Sequence, residues 1–386
     1  MDLSFFGRSP ASQQGGPEEP VVSEDTAVGT SVRGSAEAPK SGYSAAVRWI
    51  VYIGTFLVPL FFVPLSSNIL ELNKQVLLVV LASAGLVLWL LDVVISGKAA
   101  VRFGPIAKAL GVFLLATVIV VPFSLARGVS VFGSSVGSSS SLLSIVVLTV
   151  FYFLAVNVFH DRGRKLASVL MVSSLIALVF SILQMFSVYV LSSGFAHSRI
   201  FNTIGSLNSV GILAAVMLPL FSKLTVKIPR IPFLDVAKLG VLASLVILAI
   251  MNWWVLWVVA IAGMLAAVAF DSTLTHGGQA GERRFRISNF FLPMFFVVLG
   301  VFLLLINFNF SPVKSQLPVE IAPSYTLSWR VAKDVLRENP FFGYGPENFY
   351  LAFDRFGAKE LARTTLSGLR FYDGTSEVFN MAVHGG

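Results

Sequence analysis

Residues 239–270 read LGVLASLVILAIMNWWVLWVVAIAGMLAAVAF, a block without one Asp, Glu, Lys or Arg. As a single helix this block would run about 48 Å at ~1.5 Å per residue. A hydrocarbon core is only about 30 Å thick. Both flanks are basic, with Lys238 on one side and Arg283, Arg284 and Arg286 on the other. A single crossing would put one of these clusters on the side of a membrane where basic loops are scarce. Two shorter helices turning near Asn252-Trp253-Trp254 keep both clusters on one side and set the Trp pair at an interface, where indole rings prefer to lie. We therefore expect two helices here; one long tilted helix is the alternative.

Seven further apolar blocks, at 46–66, 75–95, 106–125, 142–159, 166–190, 208–222 and 288–306, bring the expected crossings to nine. Basic residues alternate between the connections. Lys98, Arg102, Lys108, Arg162, Arg164, Lys165, Lys223, Lys227, Arg230, Lys238 and the three arginines after 282 make thirteen in one set. Lys74, Arg127 and Arg199 make three in the other. Thirteen against three places the N-terminus in the cytoplasm and the stretch after 306 outside it. The expected fold is all-α: a polytopic transmembrane helix bundle over 46–306 with one large extracytoplasmic loop domain over 307–374.

Composition agrees. The chain is 55% hydrophobic and 12% charged, against roughly a quarter charged in soluble proteins, and its mean hydropathy is +0.81. These values exclude a cytosolic enzyme, a secreted disulfide scaffold and a disordered regulator. There is no Cys, so thiolate metal sites and Cys nucleophiles are excluded. His160, His197, His276 and His384 never pair at metal-ligand spacing, and no metal or cofactor is expected. The net charge of +8 is spread over one set of loops, so it reports topology and not nucleic-acid binding.

Residues 1–45 are rich in Gly, Ser, Pro and Glu and show no apolar periodicity. They read as a disordered cytoplasmic tail, too poor in apolar surface to offset ordering entropy. The 307–374 stretch is different. With Glu377 it carries eight basic and eight acidic residues, and loops of this length are usually functional. It opens with a helix capped by Ser324, whose Leu327, Val331, Ala332, Val335 and Leu336 form an apolar stripe. Arg330 stands four residues before Asp334, a favourable helical pair. Asn339-Pro340 ends that helix. Gly343-Tyr344-Gly345-Pro346 reads as a structural turn, since the Walker and dinucleotide spacings are missing. Phe379–Gly386 reads as the start, from 375, of a further transmembrane helix that continues beyond the given sequence.

Between two apolar blocks lies Ser198-Arg199-Ile200-Phe201-Asn202-Thr203-Ile204-Gly205-Ser206-Leu207-Asn208. Arg199 there is either an interfacial side chain reaching headgroups or a guanidinium that holds a lipid phosphate. This segment resembles the Arg–Gly–Thr–Phe–Gly–Asn–Pro–Asn motif of the O-antigen ligase and polymerase family of polytopic membrane glycosyltransferases. Trp329-Arg330-Val331-Ala332, followed by Asn339-Pro340-Phe341-Phe342-Gly343-Tyr344-Gly345-Pro346-Glu347-Asn348-Phe349, resembles that family's signature in its large periplasmic loop. The order of the motifs spans about residues 46–386.

The resemblance implies transfer of a glycan from a polyprenyl-diphosphate carrier, such as undecaprenyl diphosphate, to an acceptor hydroxyl at the outer face of the cytoplasmic membrane. The acceptor would be a glycan or a lipid, as in envelope polysaccharide and lipopolysaccharide assembly. Arg199 and Asn208 match the family's first motif and are its expected substrate-binding residues. Leu207 stands where the family has Pro, and Tyr325 where it has a second Arg, for which Arg330 is the substitute. Thr375-Ser376 occupies the place of the family's His-Asn pair, which leaves the carboxylates Asp373 and Glu377 as candidate bases. These departures keep open a non-catalytic protein that binds lipid-linked glycans. A lipid or glycan transporter is the other alternative, although such proteins usually carry intramembrane charge and the apolar blocks hold almost none. Asp92 lies at the inner end of its helix, Glu71 in an outer loop, and only Gln184 is deeply placed.

Overall fold

The computed structural model describes residues 42–64, 70–97, 101–102, 104–134, 137–159, 163–224, 226–228, 231–274, 287–306, 316–317, 321–362 and 366–386. The tail expected over 1–45 lies outside them as far as residue 41. Gly42 to Ala45 are already helical, as the first turn of α1 (Gly42–Leu57).

The apolar blocks become helices α2 (Glu71–Ser96), α3 (Pro105–Val120, extended by a 3-10 turn at Val121–Phe123), α5 (Leu142–Val158), α6 (Gly163–Met185) and α7 (Leu207–Lys223), and a short helix outside any block, α4 (Arg127–Phe132), lies between α3 and α5. Local chemistry sets their starts. Ser141 and Ser206 accept the backbone N–H groups of Ser144 and Ser209 and so cap α5 and α7, satisfying donors that no helical carbonyl can reach. In the connection between α7 and α8 the chain forms two short strands, β1 (Lys227–Ile228) and β2 (Ile231–Asp235), antiparallel with an irregular register. Asp235 ends it and caps α8 (Val236–Met251) through Ala237 N–H at 3.0 Å.

The block that opened the sequence analysis breaks where expected. After α8, Asn252 turns into the left-handed region at φ 35°, and α9 (Trp254–Leu274) follows. Asn252 Oδ1 accepts the indole N–H of Trp257 at 3.0 Å, which fixes the turn. Contacts with α7 show that the two helices run in opposite directions. Gly240 at the start of α8 lies against Phe221, near the end of α7. Leu256 at the start of α9 lies against Gly211, near the start of α7. Further along α9, Gly263 lies against Pro219. Of the Trp pair only Trp254 is exposed; Trp253 leans on the core.

Two helical cores result. Met171, Leu178, Leu218, Ile247, Leu256, Trp257 and neighbours join α6 to α9 with α10 (Ile287–Leu305). Val47, Val51, Leu154 and Phe159 join α1, α2 and α5. Among the described residues three helices, α2, α3 with its 3-10 turn, and α6, are long and apolar enough to cross a membrane. Their outer faces are apolar as well: Val76, Val80, Val87 and Val94 of α2 are more than half exposed. Water tolerates no apolar face of that extent, whereas hydrocarbon does.

A smaller helical domain follows, with α11 (Tyr325–Glu338), α12 (Phe349–Ala352), a π-turn at Phe353–Gly357, α13 (Ala358–Leu361) and α14 (Glu377–Gly385). Ser324 caps α11 by accepting Leu327 N–H at 3.1 Å, and Leu327, Val331, Ala332 and Val335 of the stripe are buried, whereas Leu336, at its edge, is only half-buried. Val383 of α14 lies in the same core, so the packing of this domain runs past residue 374. One expectation is corrected: Asp334 pairs with Arg337 at 3.4 Å, and Arg330 reaches Glu360 of α13 at 2.5 Å. Sequence spacing had no means of showing that the fold brings Glu360 alongside.

The Gly343–Asn348 turn locks this domain to the helices. Gly343 (φ 54°) and Gly345 (φ 93°) are left-handed, and a Cβ on Gly345 would stand 2.3 Å from Ser124 Oγ. Gly345→Ala is expected to expel the turn and to destabilise the protein by well over the ~1–2 kcal/mol of a left-handed alanine alone. Gly368→Ala is the control, since Gly368 has φ 88° with nothing within 4 Å, and it should cost only that ~1–2 kcal/mol. Hydrogen exchange across 342–349, together with thermal unfolding, checks both. Equal effects of the two variants would refute the close-approach account.

Candidate functional site

One helical turn connects the two regions singled out from sequence. At the head of α2, Glu71 Oε2 accepts the backbone N–H of Ser138 at 3.3 Å. Negative charge there suits the positive end of the helix dipole. Lys74, one turn along, donates from Nζ to the carbonyls of Thr203 at 2.5 Å and Ile204 at 2.9 Å. Gln75 donates to Phe132 O and lies within hydrogen-bond distance of Ser141 and Ser144 Oγ. The same turn of α2 thus holds the 199–208 segment on one side and the Ser-rich loop before α5 on the other.

The 199–208 segment is rigid for local reasons. Buried Asn202 folds its amide back, accepting the N–H groups of Ile204 and Gly205 and donating to the carbonyls of Ile200 and Gly205. Thr203 Oγ1 donates to Pro59 O at 2.8 Å. Arg199 donates to Gln316 Oε1. Asn208 lies in the first turn of α7, which Ser206 caps.

On the other side stand the carboxylates. Glu347 has φ 61°, a rare conformation for a residue with a side chain, and its Oε1 accepts Ser140 N–H at 2.6 Å. Asp373 and Glu377 flank the start of α14. Asn380 joins them by accepting Gly374 N–H at 2.7 Å and donating to Glu377 Oε2 at 3.1 Å. Thr375, between them, is tied to Ser328 and to Pro323 O.

These carboxylates act on one another. Desolvation raises Glu347 from 4.5 to about 7; Asp373, Glu71 and Glu377 add to the rise against the Ser140 hydrogen bond. Asp373 keeps an exposed edge. Desolvation by the surrounding protein nonetheless raises it from 3.8 to about 6, with repulsion from Glu71 and Glu377 adding. The groups do not converge on a point: no set of three or more His, Asp or Glu is placed to share a metal ion among the described residues. A carboxyl poised near neutrality beside a solvent-accessible surface suits proton transfer.

Of the residues chosen from sequence, α2 ties the 199–208 segment, and Arg199 with it, to the carboxylate cluster of Asp373 and Glu377. Arg330 is not brought there; it stays half exposed with Glu360. Tyr325, at the second-Arg position, packs edge-on against Phe379. Glu71, Lys74 and Glu347 were missed as site residues. Their one signal was Glu71 and Lys74 spaced three apart at the head of an apolar run. No protein-family model matches this chain, and no curated protein or solved structure matches it.

Because the folded-state value of Glu347 lies above 4.5, folding takes up a proton there. The associated stability is present in full below pH 4.5 and is lost as pH rises to about 7. Glu347→Gln, which cannot ionise, should match the wild-type unfolding temperature in acid and exceed it by a few degrees at pH 8. Thermal unfolding of both proteins across this range is the check, and a difference independent of pH would contradict the assignment.

Proposed function

We propose that this chain is a membrane glycosyltransferase of the O-antigen ligase and polymerase kind. It would move a glycan from a polyprenyl-diphosphate carrier to an acceptor hydroxyl at the outer face of the cytoplasmic membrane. Nine crossings with a cytoplasmic N-terminus give the thirteen-to-three distribution of basic residues its sense. That topology puts the head of α2, the 199–208 segment and the small domain together on the outer side. The observation that carries the reading is the head of α2, where Lys74 holds the Arg199 segment and Glu71 lies in electrostatic range of Asp373 and Glu347.

The chemistry follows from those positions. The acceptor hydroxyl attacks the anomeric carbon of the donor sugar, and its proton passes to Asp373, the exposed carboxylate near neutrality. The bond from that carbon to the diphosphate oxygen breaks, and the diphosphate leaves with the electron pair. Arg199 exchanges Gln316 for a phosphate oxygen, a stronger partner for a guanidinium fork. Charge stabilisation of the leaving group is the main contribution, with base assistance of about 10²–10⁴-fold.

A second reading, a non-catalytic protein that binds lipid-linked glycans, has one observation in its favour. Thr375, at the family's His position, is fully engaged in structural hydrogen bonds.

Turnover of lipid-linked glycan by the full chain in proteoliposomes separates the two. Activity should rise with pH through about 6 as Asp373 deprotonates. Asp373→Asn should lower kcat by about 10²-fold or more, and Arg199→Ala should lower kcat/KM. Glu377→Gln removes a like charge, so Asp373 should ionise more easily and the acid limb should move to lower pH. Retained carrier binding with no turnover for any envelope glycan would establish the second reading.

A further inference from the structure

A groove of about 560 Å³ lies between α1 and α6, away from the carboxylate cluster. Trp49, Tyr52, Phe56 and Leu57 of α1 line it with Val169 and Lys165 of α6, and Lys165 is its one charged residue. The two helices run in the same direction. Ser173 Oγ donates to Phe56 O at 2.5 Å, and about two turns back along each helix come Lys165 and Trp49. Lys165 has no ion-pair or hydrogen-bond partner among the described residues. It lies in the first turn of α6, where the helix dipole adds positive potential. Arg48 and Arg164 share that end of the two helices.

We propose that this groove holds an acyl chain of an anionic phospholipid, with the headgroup phosphate at Lys165. Three features select that occupant. From Trp49 to Leu57 the groove runs about 12 Å at ~1.5 Å per residue, close to the ~15 Å that half of a bilayer core provides. Its volume falls in the roughly 300–1,000 Å³ range of small-ligand sites. Its charge lies at one end only, beside Trp49, which is 66% exposed and of the type that settles at headgroup level. The site depends on membrane embedding and not on glycosyl transfer. On the topology proposed above it opens to the cytoplasmic leaflet, opposite the carboxylates.

Native mass spectrometry of the full chain from micelles containing equal phosphatidylglycerol and phosphatidylcholine tests the proposal. The wild type should retain phosphatidylglycerol with about five-fold preference, the change that ~1 kcal/mol of attraction per basic side chain represents. Lys165→Gln should lower the ratio by about that five-fold. Lys108→Gln, on α3 and outside the groove, should leave it unchanged. Ile53 of α1 also lines the groove, and Ile53→Trp, which fills it, should lose both lipids while keeping the helical signal of the wild type. Four results would overturn the proposal: no preference in the wild type, an equal loss in Lys108→Gln, retention of a polyprenyl lipid in place of phospholipid, or a lipid-free dimer.

Discussion

Asn348 is fully buried, and its amide nitrogen is the fixed point between the small domain and the helices. One of its hydrogens meets Ser124 Oγ at 2.7 Å and the other meets the carbonyl of Tyr344 at 2.8 Å. Ser124 and Ser130 share a hydroxyl contact at 2.6 Å, and the Ser130 hydroxyl donates to Pro346 O at 2.7 Å. Leu125 N–H adds a second donor to Tyr344 O. Each bond removes a polar group from an environment where leaving it unpaired would cost about 1–3 kcal/mol. Glycine at 345 lets the turn approach Ser124 closely enough for the chain of bonds to close, while glycine at 343 lets it lie against the backbone at Val383.

Once that turn is seated, the placement of Glu347 follows. The residue after Pro346 has its side chain directed at the Ser-rich loop, so a carboxylate from the small domain meets Ser140 N–H while Glu71, from α2, meets Ser138 N–H. Docking therefore gathers like charges that the chain would keep apart if the domain were free. The shifts of Glu347 and Asp373 toward neutrality result first from lost water, and the crowding of like charges adds to them. The same turn of α2 sends Lys74 to the far side, so one helix end organises an acidic region and holds the 199–208 segment. Gln184 is a separate matter: it is fully buried in α6 with neither amide atom bonded among the described residues.

The fold was legible wherever the pattern was local. Long uncharged blocks became helices, Ser324 capped where its position suggested, and the break at Asn252 fell within the sequence that named it. The site was legible only in part. Asp373 and Glu377 could be chosen as carboxylates near a motif position, and Arg199 as a solitary cation. Glu71 and Lys74 looked like ordinary loop charges, because nothing local distinguishes a solvated Lys from one whose ammonium binds two carbonyls 129 and 130 residues away. Arg330 shows the converse, since an i,i+4 partner was present in sequence and the side chain nevertheless took Glu360.

By itself the sequence determined the solvent this chain requires, the helices that suit it and the separation of a charge-rich segment from a charge-poor one. These are properties of composition and short-range periodicity, and burial energy is roughly additive along a helix. Only the tertiary structure decided which carboxylates share a field, which carbonyls Lys74 holds and where an acyl-sized groove opens between α1 and α6. Those depend on pairs of residues far apart in the chain. Electrostatic coupling and cavity shape exist only between surfaces that folding has brought together.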